Sequence, residues 1–292
     1  MEIVIQRGKT VKLDDLPRRS IAIDGFASDG PRLDPDNERF SFDHHNNCSR
    51  FATNSSCAQA YLAINLGLDP SNYKIFANDV DTDVCVSIFV LKEFERVKEL
   101  PLLKKLVDAV NIGDCFGGSI PINGMGKILN YISAPEIDSK KTGDFEHLSS
   151  SGLLNILEAT MHRIDEYVNG DINSSQLDAV KHGEFKIIKE FPTWVLVESA
   201  DTHIYAHLYS CGFDRIVRYN KQKDGSLSIT LAKKSDFITG FPIIKMIEEF
   251  NKIEPNWGGG SSIAGSPRNL DGSRSKLPLE KITEIVEKCC NG

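Results

Sequence analysis

The chain has 292 residues, which is long for one hydrophobic core and sufficient for two. Its hydrophobic fraction of 40% and charged fraction of 26% are ordinary for a globular protein, so a disordered chain is excluded. The net charge of −7 argues against an electrostatic grip on long nucleic acid. Short oligonucleotides and small, highly charged substrates remain open.

Three short apolar runs, at 20–23, 39–42 and 73–77, predict buried strands in the first part of the chain. Acidic or imidazole side chains follow each run. Because the carboxyl ends of parallel strands lie at one edge of a sheet, we expect these side chains to converge there. They are Asp24 after the first run, Asp43, His44 and His45 after the second, and Asp79, Asp81 and Asp83 after the third.

The triplet Asp79, Asp81 and Asp83 is costly to hold at the mouth of a sheet unless a cation neutralises it, and this cost favours a divalent metal. An EF-hand calcium loop requires glycine at its sixth position and glutamate at its twelfth, where this chain has Val84 and Val90. The calcium-loop interpretation therefore fails. Taken singly, an aspartate such as Asp24 is more often a turn or cap residue than a metal ligand. A pair of histidines likewise lies on the surface or in the core more often than it takes part in catalysis.

Between the predicted strands and residue 168, the pattern predicts helices around the sheet. A Ser/Thr-rich stretch at 53–57 precedes the first of them and resembles a helix cap, whose hydroxyls and amides could bind a phosphate. The predicted helices are 58–66, 84–95 (half-buried), 100–114 and 148–168, and the predicted loops are 25–39 and 133–146.

Turn-forming residues at 169–175 favour a domain boundary, so we predict domains at 1–170 and 171–292. His203 and His207 fall on one predicted strand of the second domain, and we expect them to be pairing or surface residues. The predicted strands are 185–188, 193–197, 203–209, 215–219 and 226–232 with a hairpin turn at 223–226, and the predicted helices are 241–253 and 279–289. The fold class is therefore α/β, with a largely parallel sheet flanked by helices, followed by a smaller α+β domain.

The seven cysteines are scattered, form no Cys-x-x-Cys pair and are odd in number, which does not suit a disulfide framework. The N-terminus lacks a signal-peptide pattern, and no apolar stretch approaches the length of a membrane span. We therefore expect a cytoplasmic protein with no membrane partner. A homodimer stays open.

Residues 42–45, Phe-Asp-His-His, match the motif that names the DHH phosphoesterase superfamily, which the chain resembles. Residues 23–25 resemble the strand-end aspartate of that family, and 81–87 resemble its Asp-x-Asp-Ala-x-x-Ser motif. Residues 106–114 resemble a later segment of the family that supplies a further aspartate, and we assign that aspartate to Asp114 in preference to Asp108. The superfamily includes RecJ-like exonucleases, nanoRNA hydrolases, cyclic dinucleotide phosphodiesterases, exopolyphosphatases and pyrophosphatases.

Residues 257–265 are similar to the Gly-Gly-Gly-His-x-x-Ala-Gly loop of the DHHA1 domain, which accompanies the DHH domain in that family. Two departures stand out. The Asp-x-Asp motif follows the Asp-His-His motif here, whereas in the family it comes first, so the domain would be circularly permuted. Ser261 also replaces the histidine of the loop, where Arg268 could supply a charge. The resemblance covers about the first 120 residues and this loop.

The resemblance implies a manganese-dependent phosphoesterase with two Mn²⁺ ions, or Mg²⁺ or Co²⁺, roughly 3.5 to 4 Å apart. Its substrate would be a small nucleotide, a short oligonucleotide or a polyphosphate. The implied metal ligands are Asp24, Asp43, His44, Asp81, Asp83 and Asp114, with Asp43 or Asp24 bridging. The implied catalytic residues are Asp43 and His45, the latter as a ligand or as the group that orients and protonates. The implied substrate-binding residues are Arg50, Gly258, Gly259, Gly260, Ser261, Ser262 and Arg268, on a second domain that closes over the site.

Two other classes stay open. A metal-binding or nucleotide-sensing protein could keep the fold without turnover, and the permuted order and Ser261 motivate that alternative. A metal-dependent isomerase or aldolase has less support, because no motif in the sequence identifies a catalytic lysine or a separate general base.

Overall fold

The computed structural model describes residues 1–45, 47–122, 124–142, 144–178, 184–201, 204–267, 269 and 273–291. The chain divides into two compact units. The N-terminal unit comprises Met1–Phe116 and Ile120–Val180, and the C-terminal unit comprises Gly117–Ser119 and Lys181–Gly292.

The N-terminal unit contains a five-stranded sheet of β1 (Glu2–Ile5), β2 (Ser20–Ile23), β3 (Arg32–Asp34), β4 (Arg39–Phe42) and β5 (Lys74–Ala77). The strand order is β1-β5-β2-β4-β3, and all strands are parallel except β3, which pairs antiparallel with β4 at the edge. The carboxyl ends of β2, β4 and β5 therefore lie at one edge of the sheet. The prediction of a plain loop at 25–39 was wrong, because this segment contains β3.

Five helices of the N-terminal unit share one apolar core with the sheet: α1 (Ser56–Asn65), α2 (Thr82–Lys92), α3 (Pro101–Phe116), α4 (Gly126–Thr142) and α5 (Ser150–Val168). Every residue of α2 from Asp83 to Leu91 is buried. A helix that is apolar on all sides is a central helix. The prediction of a half-buried helix at this position was therefore wrong, and α2 lies inside the core.

Helix α4 occupies most of the segment predicted as a polar loop at 133–146, so that prediction was wrong. Pro135 lies inside the helix and has no amide hydrogen to donate to the carbonyl of Tyr131, four residues earlier. The guanidinium of Arg163 on α5 donates to that carbonyl instead, at 2.6 Å. A contact from a neighbouring helix thus compensates for the proline, and no local sequence pattern predicts it.

The C-terminal unit contains a six-stranded sheet of β6 (Lys186–Glu190), β7 (Val195–Glu198), β8 (Arg215–Lys221), β9 (Leu227–Lys233), β10 (Gly258–Gly259) and β11 (Ile263–Gly265). The strand order is β10-β11-β9-β8-β7-β6, and neighbouring strands are antiparallel except β7 and β8. The predicted hairpin between β8 and β9 is confirmed, with Gly225 at φ 86° in its turn.

The helices of the C-terminal unit are α6 (Tyr205–Ser210), α7 (Ile243–Asn251) and α8 (Leu279–Asn291). The predicted strand at 203–209 was wrong, because α6 occupies it. Ile204, Tyr205, Leu208 and Tyr209 are all buried, which is the spacing of one helix face. His207 is therefore on a helix, and His203 lies outside the described residues.

The predicted α/β fold, with a largely parallel sheet in its first part, is confirmed. Of the helices in the described part of the chain, none is both long enough and apolar enough to cross a membrane.

Candidate metal centre

Asp24 follows β2 with its backbone in the left-handed region, at φ 51°. This conformation is uncommon for a residue other than glycine, and aspartate is one of the types that tolerates it. The Asp24 amide donates to the carbonyl of Phe42 at 2.9 Å, so the ends of β2 and β4 are tied together. The Asp24 side chain is only 8% exposed. Its carboxylate is therefore held close to the residues that follow β4.

A tight turn after β4 brings Asp43, His44 and His45 to the same place. Oδ1 of Asp43 accepts hydrogen bonds from the amides of His44 and His45, at 2.7 and 3.0 Å. The turn also brings both imidazoles to Asp24: Nε2 of His44 lies 3.4 Å, and Nδ1 of His45 lies 3.2 Å, from its Oδ1. The predicted strand at 39–42 thus ends at Phe42, directly before these residues.

Asp83 lies in the first turn of α2, and its carboxylate binds the first turn of α1. Its Oδ2 accepts from the amide of Ser56 at 2.8 Å, and its Oδ1 accepts from the amide of Cys57 at 3.0 Å. An anion is favoured there because the first amides of a helix lack partners within the helix and the helix dipole is positive. These two amides, predicted as phosphate donors, are therefore already bonded within the chain.

Asp114 on α3 supplies the carboxylate closest to His44. Its Oδ2 lies 2.7 Å from Nε2 of His44, which is close enough for an ion pair. The angles between the two groups do not meet those of a hydrogen bond, so neither atom has a hydrogen-bond partner. Asp108, the alternative considered from the sequence, instead forms an exposed ion pair with Lys104. Asp114 and not Asp108 therefore joins the cluster.

Two overlapping groups of side chains in the described part of the chain can hold a metal ion, since one ligand atom from each member lies within 4.8 Å of the others. The first group is Asp24, His44 and His45, and the second is Asp24, His44, Asp83 and Asp114. The structure thus brings together residues from four separate segments of the chain. A buried Asp/His cluster of this kind can hold a metal ion.

Three buried atoms of this region indicate that the residues fit a cation. Oδ2 of Asp43, Nε2 of His44 and Oδ2 of Asp114 have no hydrogen-bond partner in the described structure. Burying a polar atom without a partner is unfavourable, and coordination of a cation removes that penalty. Carboxylate oxygens with imidazole nitrogens suit divalent first-row metals.

Asp81 is placed differently from the other predicted ligands. Its carboxylate caps α2 by accepting from the amide of Val84 at 3.0 Å, and it belongs to neither of the two groups. Burial, together with the charges of Asp24, Asp114 and Asp83, raises the pKa of Asp81 well above its usual value. Asp81 therefore lies within the electrostatic field of the cluster but outside its contact distances.

The charges of the metal-free cluster are strongly coupled. Burial opposes protonation of the two histidines, but contacts with Asp114 and Asp24 raise the pKa of His44 to about 12, and contacts with Asp24 and Asp43 raise the pKa of His45 to about 9. Burial and the charges of Asp114 and Asp24 raise the pKa of Asp83 to about 6. Although burial acts in the opposite direction, hydrogen bonds from the histidines lower the pKa of Asp24. Protons on the histidines thus partly neutralise the carboxylates when no cation is bound.

The predicted substrate-binding residues divide between the two units. Arg50 is half-buried shortly after His45, and its charge opposes protonation of that imidazole, so the guanidinium lies near the cluster. The others belong to the C-terminal unit, where β10 and β11 form a hairpin with Ser261 and Ser262 between them. Arg268 lies outside the described residues. Contact of these residues with a substrate stays a prediction.

Backbone packing explains the central glycine of this hairpin. A Cβ atom on Gly259 would lie 2.4 Å from Cα of Ala264, and the residue has φ 141°. The amide of Gly260 donates to the carbonyl of Ile263 at 2.7 Å. The amide of Gly260, one of the predicted substrate-binding residues, is therefore already bonded inside the hairpin.

The sequence did not single out Ser56 and Cys115, which contact the cluster, or Asn111, which contacts Cys115. Ser56 donates through its hydroxyl to Oδ1 of Asp24, at 3.2 Å, and to the carbonyl of Phe42, at 2.8 Å. Asn111 and Cys115 lie on α3 beside Asp114, and Cys115 contacts His44. The Ser/Thr-rich stretch at 53–57 was the one signal for Ser56, while nothing in the local sequence distinguishes Asn111 or Cys115 from other residues of an amphipathic helix.

Comparison with known proteins matches no protein-family model to this chain and finds no curated protein similar to it.

Proposed function

We propose that this protein is a metal-dependent phosphoesterase of the DHH type, which hydrolyses a phosphodiester, phosphomonoester or phosphoanhydride bond in a small nucleotide or polyphosphate. The observation that supports this proposal most directly is the convergence of Asp24, His44, Asp83 and Asp114, where buried atoms of His44 and Asp114 lack hydrogen-bond partners. A site that gathers this many carboxylates with an imidazole at the carboxyl edge of a parallel sheet is suited to divalent cations that bind phosphate oxygens.

In this proposal, the four residues Asp24, His44, Asp83 and Asp114 hold the cation, and Asp24 and His44 belong to both groups, as expected of a site for two ions. Mn²⁺ is the proposed ion, with Mg²⁺ or Co²⁺ as alternatives. When bound, such an ion supplies electrophilic stabilisation of the phosphoryl oxygens and acidifies a water molecule.

The remaining roles belong to side chains at the turn after β4. Asp43 fixes that turn through its bonds to two backbone amides. The His45 side chain is 38% exposed, whereas His44 is fully buried, so His45 is the imidazole that can reach a substrate, as a ligand or as a proton donor. Arg50, close to His45, provides a positive charge for a substrate phosphate.

Phosphorus NMR tests the proposal. Purified protein with Mn²⁺ is incubated with pyrophosphate, short polyphosphate, a nucleotide bisphosphate and a linear dinucleotide, beside an EDTA-treated sample. We expect Mn²⁺-dependent loss of one substrate signal, which also identifies the substrate class. If all signals persist at high protein concentration while one ligand binds, the protein is a sensor and the proposal is wrong.

A further inference from the structure

Helix α3 contacts both ring nitrogens of His44. From one side, Oδ2 of Asp114 lies 2.7 Å from Nε2. From the other side, Sγ of Cys115 lies 3.7 Å from Nδ1, within hydrogen-bonding range for sulfur. The imidazole is fully buried. Its orientation is therefore set by two consecutive residues of one helix.

The partners of the Cys115 thiol define the direction of its hydrogen bonds. Sγ lies 3.5 Å from the carbonyl oxygen of Thr53 and 3.6 Å from Oδ1 of Asn111. The Asn111 oxygen is identified as an acceptor because the amide of Ser55 donates to it at 2.7 Å. Both of these neighbours are acceptors, so a thiol proton directed at one of them satisfies that acceptor, whereas a thiol proton directed at His44 would satisfy neither.

It follows that the sulfur presents a lone pair to His44. Nδ1 of His44 must then carry the hydrogen and donate it, because two lone pairs cannot share a hydrogen bond. In the neutral imidazole this leaves the lone pair on Nε2, which is the nitrogen next to Asp24 and Asp114. The thiol thus selects the tautomer in which a metal ligand is available at Nε2.

We propose that Cys115 is a positioning residue, which holds the His44 ring by accepting a hydrogen bond from Nδ1 so that Nε2 is directed at the cation site. The proposal rests on the proposed function only in taking Nε2 as the metal ligand. Metal-binding histidines generally donate their second ring nitrogen to an oxygen acceptor, and loss of that partner typically weakens metal binding about 10- to 100-fold. Here a thiol, relayed to Thr53 and Asn111, takes that role.

Two substitutions separate the hydrogen bond from the volume of the side chain. Cys115→Val keeps a similar volume without a donor or an acceptor, while Cys115→Ser keeps both. Cys48→Val is the matched control, because Cys48 is the other half-buried cysteine of the N-terminal unit. Circular dichroism of each variant establishes that the fold is retained.

The first measurement needs no metal. Nitrogen-15 NMR of the histidine side chains follows exchange of the His44 Nδ1 proton with solvent. We expect this exchange to be at least about tenfold faster in Cys115→Val than in the wild type and the Cys48→Val control, with Cys115→Ser in between. Equal exchange in the wild type and in folded Cys115→Val overturns the proposal. Should the valine variant fail to fold, an Nδ1 chemical shift of His44 that is the same in the wild type and in Cys115→Ser overturns it, because changing the acceptor from sulfur to oxygen must alter the shift of a nitrogen that donates to it.

The second measurement is the Mn²⁺ dissociation constant from electron paramagnetic resonance. We expect about 10- to 100-fold weaker binding in Cys115→Val and a smaller loss in Cys115→Ser. Coordination of His44 through Nδ1 in Zn²⁺-loaded protein would also overturn the proposal. Neither measurement requires turnover, so a protein that passes both but hydrolyses nothing contradicts the proposed function and leaves the role of Cys115 intact.

Discussion

The cluster at the edge of the N-terminal sheet and the glycine hairpin of the C-terminal unit both contain residues that the sequence assigned to binding, yet they differ in how their polar atoms are satisfied. In the cluster, buried atoms of Asp43, His44 and Asp114 have no hydrogen-bond partner within the described chain. In the hairpin, the Gly260 amide is bonded to Ile263, and Gly259 is required by the close approach of Ala264.

This difference separates two reasons for an unusual local sequence. A glycine run can be explained by backbone packing alone, with no ligand. Buried carboxylate and imidazole atoms that lack hydrogen-bond partners are unfavourable unless something else binds them. The cluster therefore supports a ligand site, while the hairpin needs a functional test of its own.

The largest effect is expected from Asp24→Asn. Asparagine tolerates the left-handed backbone conformation at φ 51°, so the substitution removes the charge without straining the turn. We expect Mn²⁺ affinity to fall by about 100-fold or more, measured by titration calorimetry, because Asp24 belongs to both candidate groups. Asp79→Asn is the control, since that carboxylate accepts from the neighbouring amide of Val80 and belongs to neither group. Equal losses in both variants would remove the distinction between the two aspartates.

Metal affinity is expected to rise with pH. Because the pKa of Asp83 is raised to about 6, this carboxyl is protonated at lower pH and must lose its proton to bind a cation. Below pH 6 binding displaces this proton in addition to those on the histidines, so we expect affinity to fall by more than about tenfold for each pH unit. Above that pH, affinity should continue to rise, because the histidines, with raised pKa values of about 12 and about 9, release protons on binding. Calorimetry in two buffers of different ionisation enthalpy should detect proton release at pH 7. Metal binding without proton release would contradict binding by the cluster.

The raised pKa of Asp83 has the opposite consequence for the stability of the metal-free fold, which should fall as the pH rises. The folded protein binds the Asp83 proton more tightly than the unfolded chain, whose reference value is 3.8. This group therefore stabilises the fold below that value, and its contribution is lost as the pH rises through about 6. Added Mn²⁺ should restore stability at neutral pH, which thermal unfolding with and without the ion can measure.

Gly259→Ala tests the hairpin. A Cβ atom would clash with Ala264, and alanine disfavours φ 141°, so we expect a loss of about 1 to 3 kcal/mol in the free energy of unfolding, measured with urea. Gly260→Ala is the matched control, because its Cβ would come no closer than 3.9 Å to the Ile263 carbonyl. If Gly260→Ala leaves stability unchanged but weakens substrate binding, the hairpin has a binding role as well as a structural one.

The smallest effect is expected at a buried polar atom that is satisfied inside the chain. Arg163→Met leaves the carbonyl of Tyr131 without its donor and should cost about 1 kcal/mol in the free energy of unfolding. In a Pro135→Ala background the alanine amide can donate to that carbonyl, so the cost of Arg163→Met should shrink. Equal costs in the two backgrounds would show that the guanidinium does not substitute for the missing amide.

Local sequence predicted the strand ends that carry the cluster better than it predicted burial or the helices away from the sheet. The ends of β2, β4 and β5 are where apolar runs stop at polar residues, and these boundaries were correct within a few residues. The predictions failed at α4, where Arg163 compensates for Pro135, and at α6, where alternating residues are also compatible with a helix face. In both segments a tertiary contact outweighed the local pattern.

By itself, the sequence determined which chemical groups stand at the ends of the strands, because residue type and the period of the apolar runs are local properties. Only the tertiary structure decided which of these groups meet. It placed Asp114 and Cys115 on opposite nitrogens of His44, bound Asp83 to the first amides of α1, and left Asp81 as a helix cap. The pairings of His44 and of Asp83 join residues far apart in the chain, and they depend on how helices pack on the sheet, which no spacing within one segment can specify.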